Sequence, residues 1–563
     1  MRRQDLQASL GLAMTRAWHQ INWAACHRRV RSLQRRIVQA VQAGAWRKVK
    51  RLSYLLVHSF AARALAVKRV IENAGKKTPG VDGELWDTPE KKAAAIERIG
   101  HWRGYHPKPL KRRYITKANG KPRPLSIPTL EDRARQAVYL QALQPIAETT
   151  ADCNSYGFRP KRQCADAIDQ CFKVLRQQTS AQWILEGDIA GFFDTIAFPW
   201  IEDHIPMNKR VLSKWLRSGF VEQGKLFPTT AGVPQGGIIS PVISNMVLDG
   251  LEAVVQERSR QRRRHHLNFV RWADDFIVTA SSRQVLEERV LPRITAFLAE
   301  RGVRLSTEKT AITPLTHGFD FLGQTIRKYE RFPNKPAKLQ ITPSKASLRA
   351  IKAKIRALCK RAKGATPGKL IDTLNPVLRG WANYHRHSIC SETFGYLDNF
   401  VWRRMYRWAQ QRHGEKTGRW ITERYFPHHP GAPWRFTDPA TGKQILRVQL
   451  AITPQRHCKI KGKANPFDPD WEPYFQHRDR HLTLQRSSGS RAQILHQQQG
   501  LCSVCRQVIQ FNEILELHHR DGNHQNNQLR NLVFLHPNCH RQIHNAPDSY
   551  TKSSRPSRGV GHA

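Results

Sequence analysis

The feature that most constrains this chain is the position of three aspartates at the ends of apolar, β-prone runs. Asp188 closes the run WILEGDI, and Asp274 with Asp275 separates two such runs in LNFVRWADDFIVTA. The second pattern predicts a tight hairpin with the Asp-Asp pair at its tip. Three carboxylates gathered there would not all stay ionised without cations between them, and two Mg²⁺ ions would satisfy them. An isolated Asp-Asp pair is equally an ordinary turn sequence.

The charge of the chain indicates its class of partner. Its 563 residues carry 93 Lys and Arg against 44 Asp and Glu, a formal net charge of +49. Such an excess predicts a polyanionic partner, nucleic acid before anionic membrane. No apolar run approaches the roughly 18 residues of a membrane span, and no signal-type stretch follows the basic N-terminus. Ten cysteines with one CxxC pair argue against a disulfide scaffold and favour a reducing, bacterial-type cytoplasm.

Hydrophobic periodicity predicts a multidomain α+β chain. Residues 1–72 have the pattern of basic amphipathic helices, and residues 84–325 mix helical stretches with short β-branched runs. Helical periodicity then returns in two stripes. The first stripe contains Leu348, Ile351, Ile355 and Leu358, and the second contains Leu370, Leu374, Val377, Leu378 and Trp381.

Further segments accompany the aspartates in a fixed order. They are RYITKANGKPRPLSIPTLEDRARQAVYL (113–140), SYGFRPKRQCADAI (155–168), GVPQGGIISPVISN (232–245), LSTEKT (305–310) and GFDFLG (318–323). Together they resemble the sequence blocks of reverse transcriptases encoded by group II introns, and the resemblance extends over nearly the whole chain. It implies a right-hand polymerase, with fingers and palm followed by an α-helical thumb.

The resemblance also implies residue roles. Asp188, Asp274 and Asp275 would be the catalytic carboxylates that bind two Mg²⁺ ions. The residues that contact the incoming dNTP would be Lys121 and Arg123 at the fingertips, Phe193 as a steric gate against a ribose 2′-hydroxyl, Gln235 and Lys309. Two positions depart from the family pattern, since Trp272 stands where Tyr is usual and Ala190 where Lys is frequent. Neither departure removes a metal ligand.

The stretch LRGWANYHRH (378–387) resembles the maturase signature of the same family. It implies binding of group II intron RNA, the protein's own intron, as a ribonucleoprotein. The RNA-binding residues would be Arg379, Trp381, Tyr384 and Arg386, with His385 and His387 also reaching phosphates. A helical bundle with a solvated basic face is the alternative interpretation of the same residues.

A Cys/His cluster near the C-terminus predicts metal binding. Cys502 with Cys505, and His536 with Cys539, form two pairs separated by two residues, which are enough ligands for a tetrahedral structural Zn²⁺. The second pair is His-Cys rather than Cys-Cys, so other nearby histidines remain possible ligands.

The residues between and after these pairs resemble an HNH nuclease, a ββα-metal motif with a zinc knuckle. The resemblance implies that His519 is the general base and that Asn531 orients it. His518, His540 and His544 would hold one catalytic divalent ion, and the last two share a helix face at i and i+4. The alternative is a purely structural zinc finger that grips DNA.

These interpretations give predicted domain boundaries and a function. The basic run with Lys459, Lys461 and Lys463 resembles a DNA-binding region and alternates like a strand. We expect a protein that polymerises DNA on RNA, assists splicing and cuts double-stranded target DNA in target-primed retrohoming. The alternatives are a reverse transcriptase used in host defence, a non-polymerising splicing cofactor, and a DNA endonuclease with RNA-binding arms. The predicted segments are 1–83 (N-terminal helices and first block), 84–335 (fingers and palm), 336–420 (thumb), 421–490 (DNA-binding region), 491–545 (HNH) and 546–563 (disordered tail).

Overall fold

The computed structural model describes residues 18–116, 120, 122–256, 259–330, 337–427, 434–486, 489–509 and 515–545. The predicted nucleotide-binding residue Lys121 and the predicted disordered tail 546–563 lie outside these described residues.

The first described segment is helical, as predicted. Side-chain caps start two of its helices, because Asn22 accepts a hydrogen bond from the Ala25 amide and Ser59 accepts one from the Ala62 amide. The apolar faces of these helices pack on the long helix Leu130–Thr150. The helices before it are Trp23–Gln42, Trp46–Val57, Phe60–Glu72 and Pro89–Arg98, with a 3₁₀ turn at Ala74–Lys77.

Two four-stranded sheets follow. The first has the spatial order β2 (Pro122–Ile127), β1 (Leu110–Thr116), β4 (Phe220–Glu222) and β5 (Lys225–Phe227). The central sheet contains β3 (Trp183–Gly187), β6 (Asn268–Trp272), β7 (Asp275–Ala280) and β8 (Ala311–Pro314). Its spatial order is β6-β7-β3-β8 and every neighbouring pair is antiparallel.

Helices surround the central sheet, which gives the mixed α/β organisation that the sequence predicts. Most of them share one large core with the N-terminal helices, whereas the helix Cys164–Leu175 packs in a second core with Ile184, Val270 and Ile277 of the central sheet. These helices are Cys164–Leu175, Phe192–Thr195, Phe198–His204, Lys209–Leu216, Ser240–Leu248, Leu251–Gln256, Ser259–Arg264, the π-helical turn Val285–Val290 and Leu291–Ala299.

A helical region follows the sheets and confirms both predicted stripes. It begins after the small sheet β9 (Phe319–Phe321), β10 (Gln324–Tyr329) and β11 (Lys338–Pro343). Its helices are Lys345–Arg361, Pro367–His385, Ser391–Arg412 and Gly418–Tyr425. The stripe residues Ile351, Ile355, Leu370, Leu374 and Leu378 are buried in one core, and Leu348, Leu358, Val377 and Trp381 pack against it.

The rest of the described chain falls into three parts. Residues 436–452, with the short helix Val448–Ala451, join the core of the helical region. Residues 460–475, which include the first turn of the helix Glu472–Arg486, join the core around the helix Cys164–Leu175. The C-terminal part contains the helix Gly489–Gln497, the antiparallel pair β12 (Glu516–His519) and β13 (Leu532–Leu535), and the helix Pro537–Asn545.

The strand expected around Lys459 is absent from the described structure. Lys459, Lys461 and Lys463 were expected to alternate along a strand, but residues 453–468 form no strand in the described structure. Lys459 is half-buried, with its ammonium 5.8 Å from the centre of the Tyr156 ring. Ile460 of this segment is buried, and its amide donates to the buried carboxylate of Asp166 at 2.7 Å, so side-chain contacts rather than strand pairing hold the segment. In the described part of the chain, no helix is long and apolar enough to cross a membrane.

His385 joins the helical region to the small sheet. Only 1% of it is exposed, its Nδ1 accepts a hydrogen bond from Gln324 Nε2 at 2.8 Å, and its Nε2 bonds to Ser347 Oγ at 2.8 Å. The expectation that His385 reaches phosphates is therefore wrong. Burial lowers the pKa of His385 to about 4, so the ring is neutral near pH 7.

We expect His385 to make the protein sensitive to mild acid. Between pH 6.5 and pH 4 this histidine is protonated in the unfolded chain but stays neutral in the folded protein. The free energy of unfolding therefore falls as the pH falls. Between pH 7 and pH 4.5 the free energy of unfolding of the parent should fall by about 2–3 kcal/mol more than that of His385→Gln. Urea unfolding at both pH values measures this difference, with substitution of the exposed His317 by Gln as the control. Equal losses in the parent and in His385→Gln would contradict the assignment.

Candidate functional site

The three predicted aspartates lie at one end of the central sheet. Asp275 begins β7, and Asp274 lies with Ala273 in the two-residue turn between β6 and β7, where Ala273 has φ +57°. The predicted hairpin is therefore confirmed. Gly187 of β3 pairs with Phe276 of β7, and continuing that register by one residue places Asp188 opposite Asp275.

The aspartates influence one another electrostatically. Burial, reinforced by the negative charge of Asp188, raises the pKa of Asp274. Burial and the charges of Asp274 and Asp188 raise the pKa of Asp275 to about 6. Lys309 partly offsets this repulsion, because its Nζ donates a hydrogen bond to Asp188 Oδ2 at 2.6 Å, and this bond raises the pKa of Lys309. Carboxylate oxygens under mutual repulsion are a donor set that fits Mg²⁺.

The loop of GVPQGG (232–237) brings Gln235 to the same place. Arg123 Nε donates to Gln235 Oε1 at 3.0 Å, and Gln235 Nε2 donates to Asp194 Oδ2 at 3.3 Å. The backbone of the loop is attached to β2, because the Ser126 amide donates to the Gln235 carbonyl at 2.7 Å. The positive charge of Arg123 in turn favours the ionised form of Asp274. Arg123 and Gln235 therefore lie together beside the carboxylates, as the resemblance implies.

Phe193 is fixed by the same loop. Its ring is buried and its carbonyl accepts a hydrogen bond from the Val233 amide at 2.6 Å. Gly232 has φ +83°, and a Cβ there would lie 2.4 Å from the Phe193 carbonyl oxygen, so the close approach requires glycine. This hydrogen bond and the close contact with Gly232 therefore fix the backbone of Phe193 close to Asp194 and Gln235.

The predicted RNA-binding residues occupy the last turns of the helix Pro367–His385 and the residue after it. Arg379 and Tyr384 are exposed, and the Tyr384 hydroxyl donates to the Leu322 carbonyl at 2.8 Å. Trp381 is half-buried and its indole N–H donates to Ser347 Oγ at 3.0 Å. Arg386 is half-buried and donates to the Thr453 carbonyl at 3.2 Å, and His387 bonds to the Gln455 carbonyl at 2.8 Å. Arg379 and Tyr384 therefore present the more accessible surfaces of this set.

The predicted zinc ligands come together. Cys502, Cys505, His536 and Cys539 place one ligand atom each within 4.8 Å of all the others. The three thiols are buried, and His536 is 9% exposed. Three sulfur ligands and one imidazole at such distances fit a tetrahedral Zn²⁺ site.

The second histidine set also converges. His518 at the end of β12 and His540 with His544 on the C-terminal helix place their ring nitrogens within 4.8 Å of one another. Burial, and then the charges of neighbouring histidines, lower the pKa of His518 to about 4, so it is a neutral ligand near pH 7. His540 Nδ1 lies 2.8 Å from Glu516 Oε2, which directs its Nε2 toward His544.

The predicted catalytic pair of this set does not form a direct contact in the described structure. His519 Nε2 lies 3.3 Å from Asn527 Oδ1, and its ring is 5.1 Å from that of His524. Asn531 instead holds the loop after β12, because its side chain bonds to the Asp521 carboxylate and amide and to the Asn526 carbonyl. Asn531 can therefore act on His519 through that loop.

Comparison with known protein families covers most of this architecture. Residues 115–326 match the family described as reverse transcriptase (RNA-dependent DNA polymerase), and residues 18–99 match the N-terminal domain of reverse transcriptase. Residues 348–426 match the group II intron, maturase-specific domain. The chain belongs to the group II intron-encoded reverse transcriptase/maturase family. The matched segments end at residue 426, before the Cys/His clusters.

Individual relatives agree with this assignment. The chain is 31% identical over 341 residues to Protein YkfC of Escherichia coli, which covers 52% of this chain and 89% of that protein. It is 27% identical over 335 residues to the group II intron-encoded protein LtrA of Lactococcus lactis, covering 47% of this chain and 54% of LtrA. Maturase-like protein 1 of Euglena gracilis is 22% identical over 374 residues, 65% of this chain and 77% of that protein. The chain therefore spans about half the length of LtrA.

Residues that sequence reasoning missed hold the reverse transcriptase turn in place. Arg271 is fully buried, and its guanidinium donates to Asp249 at 2.8 Å, Asn245 at 3.2 Å and the Ala273 carbonyl at 3.2 Å. Gly157 touches the same turn, because a Cβ there would lie 2.3 Å from the Ala273 amide nitrogen. The only sequence signal was a charged residue inside the apolar run NFVRW.

We expect Gly157→Ala to displace the turn that carries Asp274. A methyl group so close to backbone atoms must move one of the two segments, which should lower the free energy of unfolding by about 1–3 kcal/mol. Gly380→Ala is the matched control, because Gly380 lies in a helix with open space around it, and Ala there should stabilise by roughly 0.5–1 kcal/mol. Urea unfolding of the parent and both variants measures these changes. An unchanged free energy of unfolding for Gly157→Ala would show that Gly157 is loosely packed against the turn.

Proposed function

We propose that this chain is an RNA-directed DNA polymerase that copies group II intron RNA. The supporting observation is the position of the aspartates at one end of the central sheet. Asp188 directly follows Gly187, whose pair with Phe276 is the last between β3 and β7, and Lys309 is bonded to Asp188. Asp275 begins β7, and Asp274 lies in the adjacent turn. Asp188, Asp274 and Asp275 would hold two Mg²⁺ ions, which would activate the primer 3′-hydroxyl and stabilise the leaving pyrophosphate. The family assignment and the donor set support this role.

The surrounding residues have separate tasks in this proposal. Arg123, with Lys121, binds the triphosphate of the incoming dNTP. Gln235, held between Arg123 and Asp194, contacts the nucleotide from the loop. Phe193, fixed by Gly232, leaves too little room for a 2′-hydroxyl, so the product is DNA. Lys309 neutralises part of the carboxylate charge when nucleotide is absent.

Asp274→Asn should lower RNA-templated primer extension by at least about a thousandfold, because a metal-binding carboxylate acts on the transition state itself. Asp203→Asn is the control, since Asp203 is an exposed acid paired with Lys209 and should extend primers at the parent rate. Incorporation of labelled dNTP on an RNA template measures both. Unchanged extension by Asp274→Asn would refute the catalytic assignment.

We further propose that the basic helical region binds the protein's own intron RNA and assists its splicing. The match to the maturase-specific domain supports an intron RNA partner. Arg379 and Tyr384 offer a guanidinium and an aromatic ring at the surface, which suit phosphate contact and base stacking. Trp381 and Arg386 contribute by fixing this surface, through Ser347 and Thr453 respectively.

For the C-terminal part we propose an HNH endonuclease with a structural Zn²⁺. The supporting observation is the order β12, β13 and helix, with His518, His540 and His544 converged across it. His519 would take a proton from water, and Asn531 would hold the loop that positions it. A divalent ion on the three histidines would stabilise charge on the scissile phosphate. Cys502, Cys505, His536 and Cys539 would hold the zinc.

Together these activities form one pathway, target-primed retrohoming. The protein assists splicing and remains on the RNA, its region 421–490 and nuclease engage double-stranded target DNA, and a nick supplies the 3′-hydroxyl. The polymerase then copies the intron RNA from that primer.

His519→Ala should reduce nicking of target DNA by about a hundredfold or more while primer extension is retained, because the general base serves only the nuclease. His496→Ala is the control, since His496 is an exposed histidine of the same C-terminal part. Nicking is followed on labelled duplex with the intron ribonucleoprotein. Full nicking by His519→Ala would favour a zinc finger that only grips DNA.

A further inference from the structure

The Cys/His cluster does not form a separate unit. Its buried cysteines share one continuous hydrophobic core with the N-terminal helices. On the C-terminal side that core includes Cys502, Cys505, Cys539, Ile509, Val533 and Leu535, and on the N-terminal side it includes Trp18, Trp23, Cys26 and Val30. The first and last described segments of the chain therefore pack together.

Polar contacts join the same two segments. Gln542 Nε2 donates to the carbonyl oxygens of His19 at 3.2 Å and Ile21 at 3.1 Å. Arg31 donates to Gln507 Oε1 at 3.1 Å. These bonds fix the C-terminal helix and the CxxC loop on the helix Trp23–Gln42 and the residues before it.

We propose that the metal-loaded Cys/His cluster fastens the C-terminal part to the N-terminal helices. This inference rests on the proposed zinc site. A Zn²⁺ ion held by Cys502, Cys505, His536 and Cys539 would tie the CxxC loop to the C-terminal helix, and these two segments contact the N-terminal residues through Gln507 and Gln542. Loss of metal would free the loop and the helix from each other, so their docking on the helix Trp23–Gln42 would weaken.

The experiment combines zinc content with hydrogen exchange of the full-length protein. The parent should hold one zinc ion per chain. Treatment with a strong zinc chelator should then increase amide exchange in the helices Trp23–Gln42 and Phe60–Glu72, while the distant helix Ser391–Arg412 stays unchanged. The unmodified chain is used here, so failure of a variant to fold cannot affect the result.

The outcomes separate the two proposals. Absence of zinc from the purified parent overturns the zinc site and the inference with it. One bound zinc, with unchanged amide exchange in the two helices after chelation, leaves the zinc site standing and overturns the fastening role.

Discussion

The buried guanidinium of Arg271 is the interaction on which the polymerase site depends. It joins the hairpin turn through the Ala273 carbonyl to Asn245 and Asp249 at the end of the helix Ser240–Leu248. Burial raises the pKa of Asp249 to about 7, and Arg271 opposes that rise, so each group makes the other's charge tolerable. Because Asp274 follows Ala273 directly, the buried pair of Arg271 and Asp249 fixes the position of the Asp274 carboxylate.

A buried acid paired with cations also joins distant segments elsewhere in this strongly basic chain. Asp166 is fully buried and accepts hydrogen bonds from the Ile460 amide at 2.7 Å and from Arg478 at 2.9 Å, and its Oδ1 lies 2.8 Å from His457 Nε2. It thereby holds the segment after the helical region against the helix Cys164–Leu175. Buried acids thus pair with cations inside the protein. The charges of the three aspartates of the central sheet are only partly offset by Lys309 and Arg123, because burial and mutual repulsion still raise the pKa of Asp274 and of Asp275.

Local patterns predicted much of this structure, and long-range pairing limited the rest. The hairpin of Asp274 and Asp275 and the helical stripes at Ile351 and Leu374 were predictable because each depends on neighbouring residues. The four ligands of the proposed zinc site were predictable from their spacing, and the three histidines were predicted only from the resemblance to HNH nucleases. The structure gathers both sets. The burial of His385 was not, since a signature motif does not distinguish a side chain that packs from one that faces solvent. Lys459 and its neighbours alternate like a strand, but alternation cannot supply a partner strand.

The central claim is that one structured RNA, the intron containing this chain's own coding sequence, is the partner of the basic surface and the template of the polymerase. Crosslinking the protein to RNA in its native host, followed by sequencing of the RNA that copurifies, tests this most directly. The account predicts one dominant species that spans the protein's own gene and has a self-splicing fold. A broad distribution of unrelated RNAs would contradict it and would indicate a general reverse transcriptase without an intron partner.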